Sequence, residues 1–214
     1  MSELHEEVLA APTAGICECL GTQAELGVFY LAGGTGAALQ LGHRISEDLD
    51  LFTERPWSWV RLSHSVGACG AVSVDRQGEG SFVGSIDGVR VSLSEYPYVL
   101  LEEPIPTRFG IPVAGLTDIG CMKLIAAAQR GSRKDFVDLF YIGHAGYDIR
   151  TLMRALERKL PTVAYNPVHI LNSLAYFEDA ELEPDPIMLV PYEWRAVREY
   201  CAKQAEALLD DILG

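Results

Sequence analysis

Apolar residues fall into two regimes along the chain. Up to about residue 96 they come in short runs and alternations of strand period, and from Leu116 onward they recur at helical spacing. Val28, Phe29, Tyr30 and Leu31 are β-formers stopped by Gly33 and Gly34, the composition of a short buried strand. Thr35 then predicts a helix cap, with the helix over residues 36–41 and Gly42 at the left-handed terminating position. In Asp48-Leu49-Asp50-Leu51-Phe52 the alternation puts Asp48 and Asp50 on one face of a strand and the leucines on the other. Three further strands are predicted over residues 71–75, 81–86 and 89–96, the last two joined by Asp87-Gly88, a strong hairpin signal. Around this sheet the spacing predicts a helix over 13–26, with Ile16, Cys19 and Leu20 on its apolar stripe. Another starts at Pro56, with Trp57, Val60, Leu62 and Val66 on its apolar side; the tryptophans read as core.

Residues 97–112 carry four prolines and little periodicity, which reads as an extended connection and the best domain boundary; residues 111–114 add a short strand. The stretch 118–142 reads as two helices broken at Gly131. Ser132 followed by Asp135 has the spacing of a capping box, and the plain alternative is a helical hairpin that these two residues only cap. Lys123 and Arg130, seven residues apart, lie on one helix face two turns apart. Helices follow over 147–160, 167–180 and 192–213, with an acidic, proline-bearing linker over 181–186. The fold expected is α+β: a mixed β-sheet with flanking helices over residues 1–115, then a helical domain over 116–214.

Composition narrows the setting. A chain of 214 residues that is 49% hydrophobic can bury a real core without staples. Its net charge of −13 argues against a broad non-specific grip on nucleic acid and leaves room for local basic patches. Five cysteines without a C-x-x-C pair predict reduced thiols in a cytosol, and the acidic N-terminus does not read as a signal peptide. No apolar run approaches the roughly 18 to 20 residues of a membrane span, so a cytoplasmic protein is expected. His43, His64, His144 and His169 show no metal-ligand spacing, although His43 lies beside the candidate site.

The chemistry concentrates between residues 28 and 52. A glycine pair opening a helix lets an anion approach backbone N–H groups at the positive end of the dipole, which suits phosphate at Gly33 and Gly34. Two carboxylates on one strand face repel each other unless a divalent cation sits between them, and magnesium takes such ligands together with water and substrate phosphates. Glycine turn and acid pair together form the minimum apparatus of nucleoside triphosphate chemistry.

The run GGT, a short helix ending in Gly-His-Arg, then Ser-x-Asp-Leu-Asp-Leu-Phe resembles the motif of the DNA polymerase β-type nucleotidyltransferases, and more narrowly the AbiEii/AbiGii toxin family. The later pattern Lys-x6-Arg-x3-Lys-Asp-x2-Asp-Leu is similar to that family's third and fourth motifs. The resemblance runs from about Val28 to Ile142 and weakens past Gly146. It implies transfer of a nucleoside monophosphate from a triphosphate to an acceptor hydroxyl, with magnesium on Asp48 and Asp50. Gly33, Gly34 and Thr35 would seat the phosphates, and Arg44, Ser46 and a mobile Lys123 would orient or neutralise the triphosphate. Arg130 and Lys134 would meet phosphate or acceptor, and Asp138, or else Asp135, would act as base or metal partner. RNA such as the tRNA end is the implied acceptor, and a cognate antitoxin the implied partner. One departure stands out: Ser92 occupies the place where the superfamily carries a third carboxylate, and Glu95 has the wrong parity to replace it. Two alternatives stay open, a catalytically degenerate binding protein or antitoxin, and an enzyme that modifies protein hydroxyls or transfers phosphate.

Overall fold

The computed structural model describes residues 4–213, so the first three residues of the acidic N-terminal stretch lie outside the described residues. Five strands form one mixed sheet: β1 (Tyr30–Leu31), β2 (Leu49–Thr53), β3 (Val72–Gly78), β4 (Ser81–Ile86) and β5 (Val89–Glu95). Their order is β1-β2-β5-β4-β3, with β2 and β5 parallel and the other pairs antiparallel. The hairpin between β4 and β5 turns at Asp87 and Gly88, with φ of 47° and 84°. Both residues are left-handed, as a two-residue loop matched to the strand twist requires. Alternation decides the faces: Leu49 and Leu51 of β2, Val91 and Leu93 of β5, and Phe82 and Ile86 of β4 are buried, while the residues between them open to the other side.

Nine helices are described: α1 (Ala11–Gly21), α2 (Gly33–Leu41), α3 (Trp59–Gly67), α4 (Leu116–Arg130), α5 (Arg133–His144), α6 (Ile149–Lys159), α7 (Pro167–Ser173), α8 (Glu178–Leu182) and α9 (Trp194–Leu213). Helix α2 packs on α4 and α5, and α9 closes over α5, α6 and α7. A buried apolar cluster runs from Val8 through both halves of the chain to Leu208. Among the described residues, no helix is long and apolar enough to cross a membrane.

Several expected elements shift. The helix predicted over 13–26 stops at Gly21, and a 3-10 turn at Ala24–Leu26 follows. Pro56 precedes α3 rather than opening it, and Val60 is 84% exposed, because the buried side of that helix is Leu62, Ser65 and Val66. The helix over 167–180 divides into α7 and α8. Instead of a strand at 111–114 there are single bridges from Val113 to Leu31 and Ile105. The acidic linker is anchored: the Glu183 carboxylate accepts from Ser132 Oγ and the Arg133 N–H, and Met188 bridges to Arg44.

The cysteines differ as well. Cys19 on α1 and Cys69 after α3 are joined in a disulfide, their Cα atoms 5.6 Å apart; Cys17, Cys121 and Cys201 are free and buried. A separation of 50 residues conceals this proximity in the sequence, and the expectation of five reduced thiols is corrected accordingly.

Candidate active site

Parallel pairing of β2 with β5 sets Asp50 directly opposite Ser92. Ser92 Oγ donates to Asp50 Oδ1 at 2.6 Å, so a serine hydroxyl stands beside the acid in place of a third carboxylate. Asp48, one residue ahead of β2, is exposed, and Asp50 is half-buried. Among the described residues neither forms an ion pair. Glu95 faces the turn at Gly80, away from these acids.

Helix α2 begins at Gly33, three residues earlier than expected, with Ala32 as its N-cap. Gly33 has φ +58°, and a Cβ there would lie 2.5 Å from Asp50 Oδ2; a Cβ on Gly34 would lie 2.3 Å from Arg44 Nη2. The absent side chains let the helix start touch both the acid and the guanidinium. Thr35 is therefore inside the helix rather than capping it. It is buried, its hydroxyl hydrogen-bonded to Ser46 Oγ at 2.7 Å and donating to the Asp48 carbonyl, so it ties α2 to the loop before β2 and does not line the cleft.

The second group of predicted residues builds the floor. Lys123 Nζ donates to Asp135 Oδ1 at 2.8 Å and lies 2.6 Å from Asp138 Oδ2. Arg130 grips Asp135 through Nε at 2.8 Å and Nη2 at 3.0 Å. Arg44 grips Asp138 through Nε at 2.7 Å and Nη2 at 2.9 Å, and His43 Nε2 is 2.8 Å from the same carboxylate. Such forked contacts fix orientation as well as charge. Asp135, Asp138 and His43 are fully buried.

Burial alone would push the Asp138 carboxyl up, but Arg44 and Lys123 hold it well below the usual carboxylate range. Asp135 is lowered in the same way, burial being outweighed by Lys123 and Arg130. Burial would pull the Lys123 ammonium down, and the two acids raise it instead. Three expectations are thereby corrected. Asp138, ionised and enclosed by donors, anchors Arg44 and Lys123 and is not placed to take a proton from a hydroxyl. Lys123 is clamped rather than mobile. Ser132 and Asp135 form no side-chain capping box, because Asp135 is turned inward to the cations.

These groups converge although they are far apart in sequence. A cleft of about 600 Å³ is lined by Gly34, Arg44, Ser46, Asp48, Asp50 and Ser92 on one side and by Lys123, Arg130, Lys134 and Asp135 on the other. An adjoining recess of about 220 Å³ brings Gly33 and Gly34 against Phe52, Met122 and Ala126. Sequence reasoning missed Glu47, Arg76 and Glu183, which also line the cleft, and gave no role to Arg90. The parity of β5 put Arg90 on the polar face, whereas a bulge in β3 conceals Arg76.

No group of three or more His, Cys, Asp or Glu side chains placed to hold a metal occurs among the described residues. Two neighbouring carboxylates without cation partners, one braced by a serine hydroxyl, nonetheless suit a hard divalent ion whose remaining ligands are water and phosphate.

A mixed sheet carrying an acid pair beside a glycine-opened helix defines a protein of the nucleotidyltransferase fold. MenT4, a nucleotidyltransferase toxin from Mycobacterium tuberculosis H37Rv, has a similar structure, with TM-score 0.57 and 17% identity over 94% of this chain and 86% of that one. The family Nucleotidyl transferase AbiEii toxin, Type IV TA system, matches residues 82–213, and the chain belongs to it. An uncharacterized protein of Aquifex aeolicus (strain VF5) is 36% identical over 203 residues, covering 91% of this chain and 96% of that protein. The family match takes in Ser92, Lys123, Arg130, Asp135 and Asp138 and continues through the C-terminal helices, so the resemblance does not fade past Gly146, whereas the motif of residues 28–52 lies ahead of the matched stretch.

Proposed function

We propose that this protein transfers a nucleoside monophosphate from a nucleoside triphosphate to an acceptor hydroxyl. The acceptor oxygen bonds to the α-phosphorus, the bond to the α–β bridging oxygen breaks, and pyrophosphate leaves. The observation that carries this reading is the convergence of Gly34, Asp48, Asp50 and Lys123 on one cleft. Gly33 and Gly34 present unobstructed backbone N–H groups to the phosphates. Arg44, Lys123 and Arg130, already oriented by Asp138 and Asp135, meet developing negative charge without reorganising, and Lys134, which makes no ion pair among the described residues, adds a cation at the rim. The recess of Phe52, Met122 and Ala126 takes the base.

Magnesium would be held by Asp48 and Asp50; when bound it neutralises phosphate charge and polarises the reacting oxygens. The hydroxyl proton passes to an uncommitted carboxylate of the cleft or to water, since Asp135 and Asp138 are saturated. We further read residues 1–115 as the catalytic domain and 116–214 as a helical domain that supplies the lysine and arginine wall. The reading extends to a cytoplasmic toxin with an RNA acceptor and a cognate antitoxin.

The test is incubation with α-labelled triphosphates, magnesium and total RNA. Label should enter RNA and should fall at least about 100-fold in Asp48→Ala and Asp50→Ala. A wild type that labels nothing, with Asp48→Ala and Asp50→Ala variants that bind triphosphate as tightly as it does, would instead be a degenerate binding module. Ser92 is the observation that favours this second reading, because it leaves the acid pair without a third member.

A further inference from the structure

The cations of the cleft fall into two sets. Arg44, Lys123 and Arg130 are matched against Asp135 and Asp138 on the helical wall. Arg76 and Arg90 stand across the cleft on the sheet, Arg76 on the edge strand β3 and Arg90 on the central strand β5. Arg76 makes no ion pair among the described residues, and Arg90 makes one long contact of 3.5 Å with Asp75, both partners more than half exposed. Exposed pairs of this kind add little to stability, so the fold does not need these arginines.

Their placement is not random. The strand pairings run Asp50 to Ser92, Ser92 to Val83 and Val83 to Arg76, a single transverse row from the acid pair to the sheet's edge, and all four residues line the cleft. Strict pairing of β3 with β4 would have set Asp75 opposite Val83, since Val74 pairs with Gly84. The register shift between Val74 and Arg76 skips Asp75 and installs the arginine in its stead. A bulge that re-aims a side chain is a common device beside active sites. Here it replaces a carboxylate with a guanidinium in the row that leads to Asp50. Arg90, two residues ahead of Ser92, shares that face and continues into a groove beside Glu47 and Asp48.

We propose that Arg76 and Arg90 form the acceptor subsite, contacting the phosphodiester next to the reacting hydroxyl of a single-stranded polynucleotide; this rests on the transferase reading above. Triphosphate held at Gly33, Gly34, Lys123 and Arg130 leaves the sheet side of Asp48 and Asp50 for the acceptor. With strands about 4.8 Å apart, Arg76 starts roughly 14 Å from Asp50, and both line the one cleft, a separation that a nucleotide and an arginine side chain can span together. Guanidinium matches phosphate in a forked geometry, and a chain of charge −13 must supply such contacts locally to hold a polyanion. A protein acceptor would engage these arginines only where a carboxylate happened to flank its hydroxyl, whereas every nucleotide of a polynucleotide brings a phosphate.

The experiment measures binding of a fluorescent single-stranded RNA oligonucleotide with a free 3′ hydroxyl over a range of KCl concentrations. Wild type is compared with Arg76→Ala, Arg90→Ala, the double variant and Arg76→Lys, and triphosphate affinity is measured in parallel. Each alanine variant should weaken RNA binding about fivefold to tenfold at low salt and flatten the plot of log affinity against log salt by about 0.7. Arg76→Lys should keep the slope, and triphosphate affinity should stay within about twofold. Unchanged RNA affinity and slope in the double variant would overturn the subsite, as would a wild type that labels a protein and binds no RNA. RNA binding that depends on both arginines, without nucleotide transfer, would refute the transferase reading and leave the subsite standing.

Discussion

Asp138 illustrates how a residue's neighbours change its meaning. Read from its motif it is a candidate base; enclosed by His43, Arg44 and Lys123 it is the counter-charge that fixes two cations. Removing one partner from a buried ion pair leaves the others uncompensated, so Asp138→Asn should lower unfolding free energy by roughly 3–5 kcal/mol, measured by urea denaturation. A residue acting only as a base would instead lose turnover at full stability. The pH dependence follows from the directions of the shifts. Asp135 and Asp138 are lowered, so their contribution is complete above about pH 4 and is lost as pH falls through their native values. Lys123 is raised, so its contribution is complete below about pH 10 and is lost as pH rises through its native value. The acid limb of the wild-type stability profile should therefore flatten in Asp138→Asn.

At the scale of elements, the parallel register of β2 and β5 is what makes Ser92 matter. Like charges directly opposite each other on paired strands are destabilising, and Ser92→Asp would create that arrangement with Asp50. In metal-free buffer this variant should melt several degrees below wild type, and added magnesium should restore it by binding the folded state alone. A melting temperature unaffected by magnesium would mean that the two side chains do not share a site. Helix α5 is set by a different element, since Glu183 accepts from Ser132 and the Arg133 N–H at its start, and this frees Asp135 to turn inward. The capping-box reading failed for that reason: a distant carboxylate took over the helix start, and local spacing cannot reveal it.

For the molecule as a whole, the Cys19–Cys69 bridge closes a loop that contains β1, α2, β2 and α3, hence the glycine turn and both acids. Cross-linking across 50 residues restricts the unfolded chain by about 4 kcal/mol in the chain-entropy account. Thiol titration of the unreduced, denatured protein should therefore find three reactive cysteines rather than five. Reduction should shift the denaturant midpoint down to that of a Cys19→Ser, Cys69→Ser double variant.

Period and punctuation along the chain determined the strands of the sheet, the Asp87-Gly88 hairpin, the ends of α2 and α4 at Gly42 and Gly131, and the shared face of Asp48 and Asp50, because each depends on residues a few positions apart. Motif spacing also named most of the cleft's residues. Only the tertiary structure decided which charges are held by partners and which stand apart. That Asp135 and Asp138 fix Arg44, Lys123 and Arg130 in place, that Cys19 meets Cys69, and that a one-residue bulge carries Arg76 into the row of Asp50 all depend on elements brought together from distant parts of the chain. A buried charge is set by its nearest partners in space, and those partners leave no periodic trace in the sequence.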